Sequence, residues 1–194
     1  MAGKKIRQGK LIVFSAPSGT GKSTIAKMVL KRLPDVRFSV SATTRRKRDG
    51  EQEGVNYYFL TPVEFEEKVR SGGFIEHEFF FGNHYGTLLD KTREVIQSGA
   101  SILLDLDVKG AMNLKKIFSD QALLLFIMPP SMESLEERLK NRDSENEAEL
   151  KMRLERARLE MEYADKFDKV IVNDDLEQAV DAITSIMSEF ISKT

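Results

Sequence analysis

The chain of 194 residues has no cysteine, which excludes disulfides, thiolate metal sites and a cysteine nucleophile. It has no apolar run near the roughly 20 residues that a membrane-spanning helix needs. Histidine is almost missing; His77 and His84 have no partner visible in the sequence and read as surface or loop residues, not bases. An excess of charge is missing too, since 30 Lys and Arg face 31 Asp and Glu for a net charge of −1. No global field therefore points to nucleic acid or an anionic membrane, and any basic chemistry has to be local. Met1 to Lys10 is polar and basic with no apolar centre, so it reads as a lead-in and not as a secretory signal. These absences are compatible with a cytoplasmic protein.

Apolar residues make up 41% of the chain, which fits a globular protein, and the length suits one α/β domain with insertions. The chain is organised around Ser15-Ala16-Pro17-Ser18-Gly19-Thr20-Gly21-Lys22-Ser23-Thr24. Leu11-Ile12-Val13-Phe14 before it is a strand pattern. Ile25, Val29 and Leu33 after it fall at helical spacing. Strand, glycine-rich turn and helix start make a phosphate-binding P-loop. Its glycines let backbone N–H groups converge on an anion, and the helix N-terminus adds positive dipole. Lys22 is suited to the β/γ-phosphates and the Ser23 hydroxyl to Mg²⁺. Ala16 stands where the strict pattern has glycine, so the loop has to avoid a left-handed conformation there.

Helix 22–33 stops at Pro34, and 36–40 reads as a short strand. Residues 41–50 are polar, with Arg45-Arg46-Lys47-Arg48 in a row, and 57–60 is another strand. Thr61, Pro62 and Glu64 form a helix-start signature, and Gly72-Gly73 ends that helix. Strand 74–81 and a turn at Gly82-Asn83 complete a strand-rich block, about 41–88, that interrupts the strand–helix alternation. The alternation resumes with helix 89–98, strand 101–104, a helix to Phe118 that Asp107 caps, and strand 122–128 before Pro129-Pro130. Ser131 caps a helix with Leu135 and Leu139 on one face, and 143–149 is loop-like. Leu150, Leu154, Ala157, Met161 and Ala164 stripe the next helix. Strand 169–173 and an amphipathic helix from Leu176 to Phe190 end the chain. The expected class is α/β, a mostly parallel sheet with helices on both faces.

A P-loop alone specifies only a nucleoside triphosphate. Asp107-Val108-Lys109-Gly110 and Asp165-Lys166-Phe167-Asp168 look like GTPase fragments, but the second follows a helix where base reading needs it after a strand. A small-molecule kinase accounts for more. It has to neutralise two anions held close together, and two arginine sets are present: Arg45, Arg46 and Arg48 in the inserted block, and Arg138, Arg142 and Arg153 further on. Arg138 and Arg142 share a helix face, and the helix pair carrying this set can close as a lid. Arg46 and Lys47 read better as a solvated surface.

The P-loop together with Phe38-Ser39-Val40-Ser41-Ala42-Thr43-Thr44-Arg45, Gly54-Val55-Asn56-Tyr57-Tyr58-Phe59, Phe74-Ile75-Glu76, Gly82-Asn83-His84-Tyr85-Gly86-Thr87, Leu104-Asp105-Leu106-Asp107, Pro129-Pro130-Ser131 and Val172-Asn173-Asp174-Asp175 resembles the guanylate kinase family, in order, from about Gly9 to the C-terminus. The resemblance implies ATP and GMP as substrates with Mg²⁺. It implies a P-loop core over 9–40, 89–131 and 158–194, a GMP-binding subdomain over 41–88 and a lid over 132–157. It further implies that Arg45, Arg48, Tyr57 and Tyr85 hold the GMP phosphate, that Ser41, Glu76 and Thr87 read the base, and that Asp107 contacts GMP. Arg138, Arg142 and Arg153 would reach the ATP phosphates, Asn173 would lie near adenine, and Asp105 would hold Mg²⁺ through water. Residues 16–24 would bind ATP.

Guanine presents adjacent N1–H and amine donors that one carboxylate accepts together, whereas adenine presents a lone pair in place of N1–H. On the residues alone, Glu76 reads as a solvent-facing strand residue, and Asn173 as a helix cap. The lid departs from the family pattern, with Asn141-Arg142-Asp143-Ser144 where glycines flank the arginine. Two other readings remain open: an inactive guanylate-kinase-like binding module, or a P-loop kinase of another phosphorylated acceptor.

Overall fold

The structure is a computed structural model that describes residues 8–80, 82–140 and 147–193. In chain order its strands and α-helices are β1 (Leu11–Ser15), α1 (Lys22–Arg32), β2 (Val36–Phe38), β3 (Ala42–Thr43), β4 (Tyr58–Phe59), α2 (Pro62–Arg70), β5 (Phe74–Phe80), β6 (Asn83–Leu88), α3 (Leu89–Gln97), β7 (Ser101–Asp105), α4 (Val108–Phe118), β8 (Ala122–Met128), α5 (Met132–Lys140), α6 (Glu147–Met161), β9 (Lys169–Val172) and α7 (Leu176–Ser192).

Every residue of β1 is buried. A strand apolar on both faces belongs inside a parallel sheet covered on both sides, and β1 is the middle of the order β2-β7-β1-β8-β9, all parallel. Strand periodicity divides the core. Ile12 and Phe14 pack with Leu123, Leu125 and Ile127 under α1 and α7. Leu11 and Val13 pack with Leu124 and Phe126 under α4, on the other face. Among the described residues no helix is long and apolar enough to cross a membrane.

A second sheet, in the order β4-β3-β6-β5, is built from the inserted block. Its own small core is Ala42, Phe65, Phe74 and Leu88. Phe65 comes from α2, whose start has the expected capping box: the Thr61 side chain accepts from Glu64 N–H while the Glu64 carboxylate accepts from Thr61 N–H. β5 carries a bulge, because Phe74 pairs with Leu88 but Glu76 pairs with Thr87, leaving Ile75 as the extra residue. Phe74 therefore packs in the small core, while Ile75, only 1% exposed, packs in the main one.

Several elements differ from the sequence expectation. β3 falls inside the polar 41–50 stretch, a two-residue strand too short for alternation to reveal. His77 on β5 is exposed, as expected, whereas His84 lies half-buried on β6, and its ring stacks on Phe65 with centroids 5.1 Å apart. α6 already begins at Glu147, inside the stretch expected to be a loop. Ala164 lies beyond α6 in a short 3-10 turn, and the stripe splits: Leu150 and Leu154 pack with Leu135 and Leu139, whereas Met161 and Ala164 pack on the main core.

Phe126 is fully buried, 5.1 Å from the Phe167 ring. Phe126→Ala is expected to lower the unfolding free energy by roughly 3–5 kcal/mol, read as a lower denaturant midpoint with secondary structure retained.

Candidate active site

The turn between β1 and α1 takes its shape from Gly19 and Gly21, with φ of 91° and 95°. Ala16 keeps out of the left-handed region, as expected; among the described residues Ser119 is the one non-glycine there. Gly21 is the N-cap of α1 and supplies no side chain to its first-turn N–H groups. Two of the turn's own carbonyls are engaged. Thr20 Oγ1 donates to Pro17 O at 2.7 Å, and Asn173 Nδ2 donates to Thr20 O at 2.7 Å. What remains is a row of backbone donors at a positive helix end.

Charged side chains surround that turn. Lys22 forms an ion pair with Asp105, the last residue of β7. Arg153 of α6 donates to Ser18 Oγ at 3.1 Å, and Arg138 of α5 donates to Asn173 O at 3.0 Å. α5 comes this close because Gly19 has no side chain: a Cβ there would stand 2.8 Å from Leu139 Cδ2. Asn173 is buried and is not the cap of α7; Asp175 is, accepting from Gln178 N–H at 2.9 Å. Arg142 and the segment 141–144 lie outside the described residues.

A second cleft, of about 360 Å³, opens between β5 and the start of α4 and is lined by Glu76, Glu78, Asp107 and Gly110 among others. Glu76 is half-buried rather than solvent-facing, and Thr87 Oγ1 donates to its Oε1 at 2.7 Å. Burial pushes the Glu76 carboxyl up to about 7; the Thr87 hydroxyl opposes this, and Asp107 and Glu78 add to it. Asp107 caps α4 by accepting from Gly110 N–H at 2.7 Å. The two acids two residues apart thus face different ways: Asp105 meets Lys22, and Asp107 meets the Glu76 cleft.

Arg45 lies half-buried in the second sheet's rim, 2.6 Å from Glu51 Oε1 and 5.3 Å from the Tyr57 ring centroid. Tyr57 and Tyr85 meet edge to face at 6.1 Å. Arg48 is exposed, and its backbone N–H donates to Glu51 Oε2 at 2.7 Å. Arg46 and Lys47 are exposed, as expected. Ser41 directly precedes β3, whose Ala42 pairs with Gly86, the neighbour of Thr87. Sequence reasoning missed Glu51, which holds Arg45; its signal was an acid three residues past Arg48. It also missed Arg156 on α6, which pairs with Glu160 at 2.9 Å and whose pKa is raised first by that bond and also by the charges of Glu78 and Asp107. The GTPase-like Asp168 is a fold staple, accepting from Lys115 Nζ at 2.9 Å and from Leu124 N–H at 2.8 Å.

The family model for guanylate kinase matches residues 8–190. The chain belongs to the guanylate kinase family. A guanylate kinase from Chlorobium luteolum is 65% identical over 192 residues, which cover 99% of this chain and 98% of that protein. One from Salinibacter ruber is 46% identical, covering 94% of this chain and 97% of that protein. The crystal structure of guanylate kinase from Anaplasma phagocytophilum superposes with a TM-score of 0.72 at 35% identity, over 96% of this chain and 88% of that chain. The parallel sheet, the P-loop at its carboxyl edge and the second sheet beside it are thus arranged as a guanylate kinase family fold.

Glu76 has a cost that can be measured. Its carboxyl lies near 4.5 in the unfolded chain and about 7 in the folded one, so folding disfavours the ionised form. The penalty is absent below about pH 4.5, grows as the pH rises and is complete above about 7. Glu76→Gln is expected to raise the unfolding free energy by roughly 2–3 kcal/mol at pH 8 and by almost nothing at pH 4.5, read by denaturant melts at both.

Proposed function

We propose that the protein transfers the γ-phosphoryl group of ATP to GMP, giving ADP and GDP. The observation that carries this reading is the pairing of two sites: a P-loop with free donors, and a cleft holding one desolvated carboxylate, Glu76, with Thr87 beside it. A phosphate site alone fits any P-loop kinase. A carboxylate aimed into a cleft adds a reader for guanine's paired N1–H and amine donors. A sugar-phosphate acceptor would need no such reader, which disfavours the alternative kinase. A binding module would not need Lys22 and the lid arginines at the P-loop.

In this reading the backbone of residues 16–24 and Lys22 hold the ATP phosphates. Arg138 and Arg153 leave their resting partners, Asn173 O and Ser18, to neutralise charge on the transferring group, joined by Arg142. Asn173 fixes the loop and stands near adenine. Arg45, Arg48, Tyr57 and Tyr85 hold the GMP phosphate, with Glu51 orienting Arg45. Ser41, Thr87 and Glu76 read the base, and Asp107 contacts GMP. A GMP phosphate oxygen attacks the γ-phosphorus, and the bond to the bridging oxygen of ADP breaks. Phosphate is already a nucleophile, so no strong protein base is required.

Ser23 in the first turn of α1 and Asp105 beside Lys22 are hard oxygen donors of the kind Mg²⁺ takes, Asp105 through water. Bound there, the ion would offset negative charge on the β- and γ-phosphates. Residues 41–88 form the GMP-binding subdomain and 132–157 the lid, closing over the 9–40, 89–131 and 158–194 core to exclude water. The protein works in the cytoplasm on small-molecule substrates.

A coupled ADP-release assay with ATP and Mg²⁺ should show strong turnover with GMP and little with AMP, CMP or UMP; no turnover with any acceptor would leave the binding-module reading. In the same assay kcat/KM for GMP should fall as the pH drops below about 7, because protonated Glu76 loses an acceptor. Glu76→Gln should be slow throughout and lack that inflection.

A further inference from the structure

The face of α4 that meets Glu76 carries no side chain at Gly110. Gly110 is buried, and a Cβ on it would stand 2.7 Å from Glu76 Cγ, 3.0 Å from Glu76 Cβ and 3.1 Å from Asp107 Oδ1. Backbone conformation does not demand glycine here, since Gly110 lies in a helix and is not among the positive-φ glycines. A glycine inside a helix weakens it relative to alanine, so a packing reason is required, and the stem of Glu76 supplies one.

Asn113 stands one turn further along the same face. Its Nδ2 donates to Ile75 O. Ile75 is the extra residue of the β5 bulge, immediately before Glu76. The bulge strand is thus tied to α4 at the residue preceding the carboxylate, while Gly110 leaves the space the carboxylate's stem occupies. Asp107, Gly110 and Asn113 follow one another at intervals of three on one helix face.

We propose that Gly110 and Asn113 are positioning residues for base recognition: Gly110 by having no side chain, and Asn113 through the Ile75 carbonyl, together fix where the Glu76 carboxylate stands. This rests on the reading of Glu76 as the base reader. Neither residue touches substrate; both act through Glu76. A side chain at Gly110 would push the Glu76 stem off its site, away from Thr87, and spoil its geometry toward guanine without disturbing the ATP half.

The test compares Gly110→Ala, Asn113→Leu, Glu76→Ala and the double variant Gly110→Ala with Glu76→Ala, using GMP and AMP as acceptors. Gly110→Ala is expected to raise KM for GMP on the order of tenfold and to lower the GMP-over-AMP ratio of kcat/KM, with KM for ATP unchanged. In the Glu76→Ala background it should change KM for GMP no further. Asn113→Leu alters an exposed side chain, so it should fold, and it should shift KM for GMP in the same direction by a smaller factor. If Gly110→Ala fails to fold, an unchanged KM for GMP in Asn113→Leu overturns the proposal. A normal KM and ratio in folded Gly110→Ala, or a loss that persists without the Glu76 side chain, overturns it while the base reading stands. An unaltered KM for GMP in Glu76→Ala overturns both.

Discussion

The turn after β1 can offer backbone donors to an anion only if its carbonyls are held elsewhere, and Asn173 holds one of them. A peptide that offers N–H groups to an anion has carbonyls that must go elsewhere. Thr20 O accepts from Asn173 Nδ2, and Thr20 Oγ1 donates back to Pro17 O. That bond joins the two ends of the chain, because Asn173 directly follows β9. It requires β9 to be in register with β8, and β8 with β1, which the parallel ladder provides. Lys22, Asp105 and Asn173 then converge at the carboxyl edge of the sheet, beyond β1, at the end of β7 and beyond β9, where open α/β sheets place their ligands.

The same geometry settles how opposite charges are distributed. A chain of nearly zero net charge has to concentrate cations locally, and at rest four of these cations are held by partners. Lys22 rests on Asp105, Arg45 on Glu51, Arg138 on a carbonyl and Arg153 on a hydroxyl. Such partners orient the cations in advance, and the partly solvated Lys22–Asp105 pair can be released at modest cost. The β5 bulge does comparable work for the acid. One extra residue lets Phe74 enter the small core, Ile75 the main core, and Glu76 the cleft between them.

The long buried strands and amphipathic helices were legible because burial imposes periodicity, and the P-loop because its chemistry imposes residue types. What could not be read depends on distant pairing. Ala42-Thr43 forms a strand only because β4 and β6 flank it. His84 looked solvated because Phe65, its stacking partner, lies on another element. Asn173 looked like a cap because the neighbouring Asp175, which does cap, has the same local credentials. Glu76 was legible only through family resemblance, since a carboxylate on a strand gives no local sign of which face is covered. Glu51 and Gly110 carry a signal only once their neighbours are known.

Under the proposed reading, a Glu76 carboxyl near its midpoint at neutral pH makes base selection conditional on ionisation. Ionised, Glu76 offers two acceptors and matches guanine's N1–H and amine. Protonated, it offers one donor and one acceptor, which is the complement of adenine's N1 and amine. Desolvation, needed to keep water from competing for the pair, pushes toward the wrong form, and Asp107 and Glu78 push the same way. The Thr87 hydroxyl acts against them by donating to Glu76 Oε1. Such a bond favours the charged carboxylate. Thr87 thus does more than fill the cleft wall: it biases Glu76 toward the protonation state that prefers guanine, although desolvation still leaves the carboxyl at about 7, and the bound base, by donating twice more, would complete the shift.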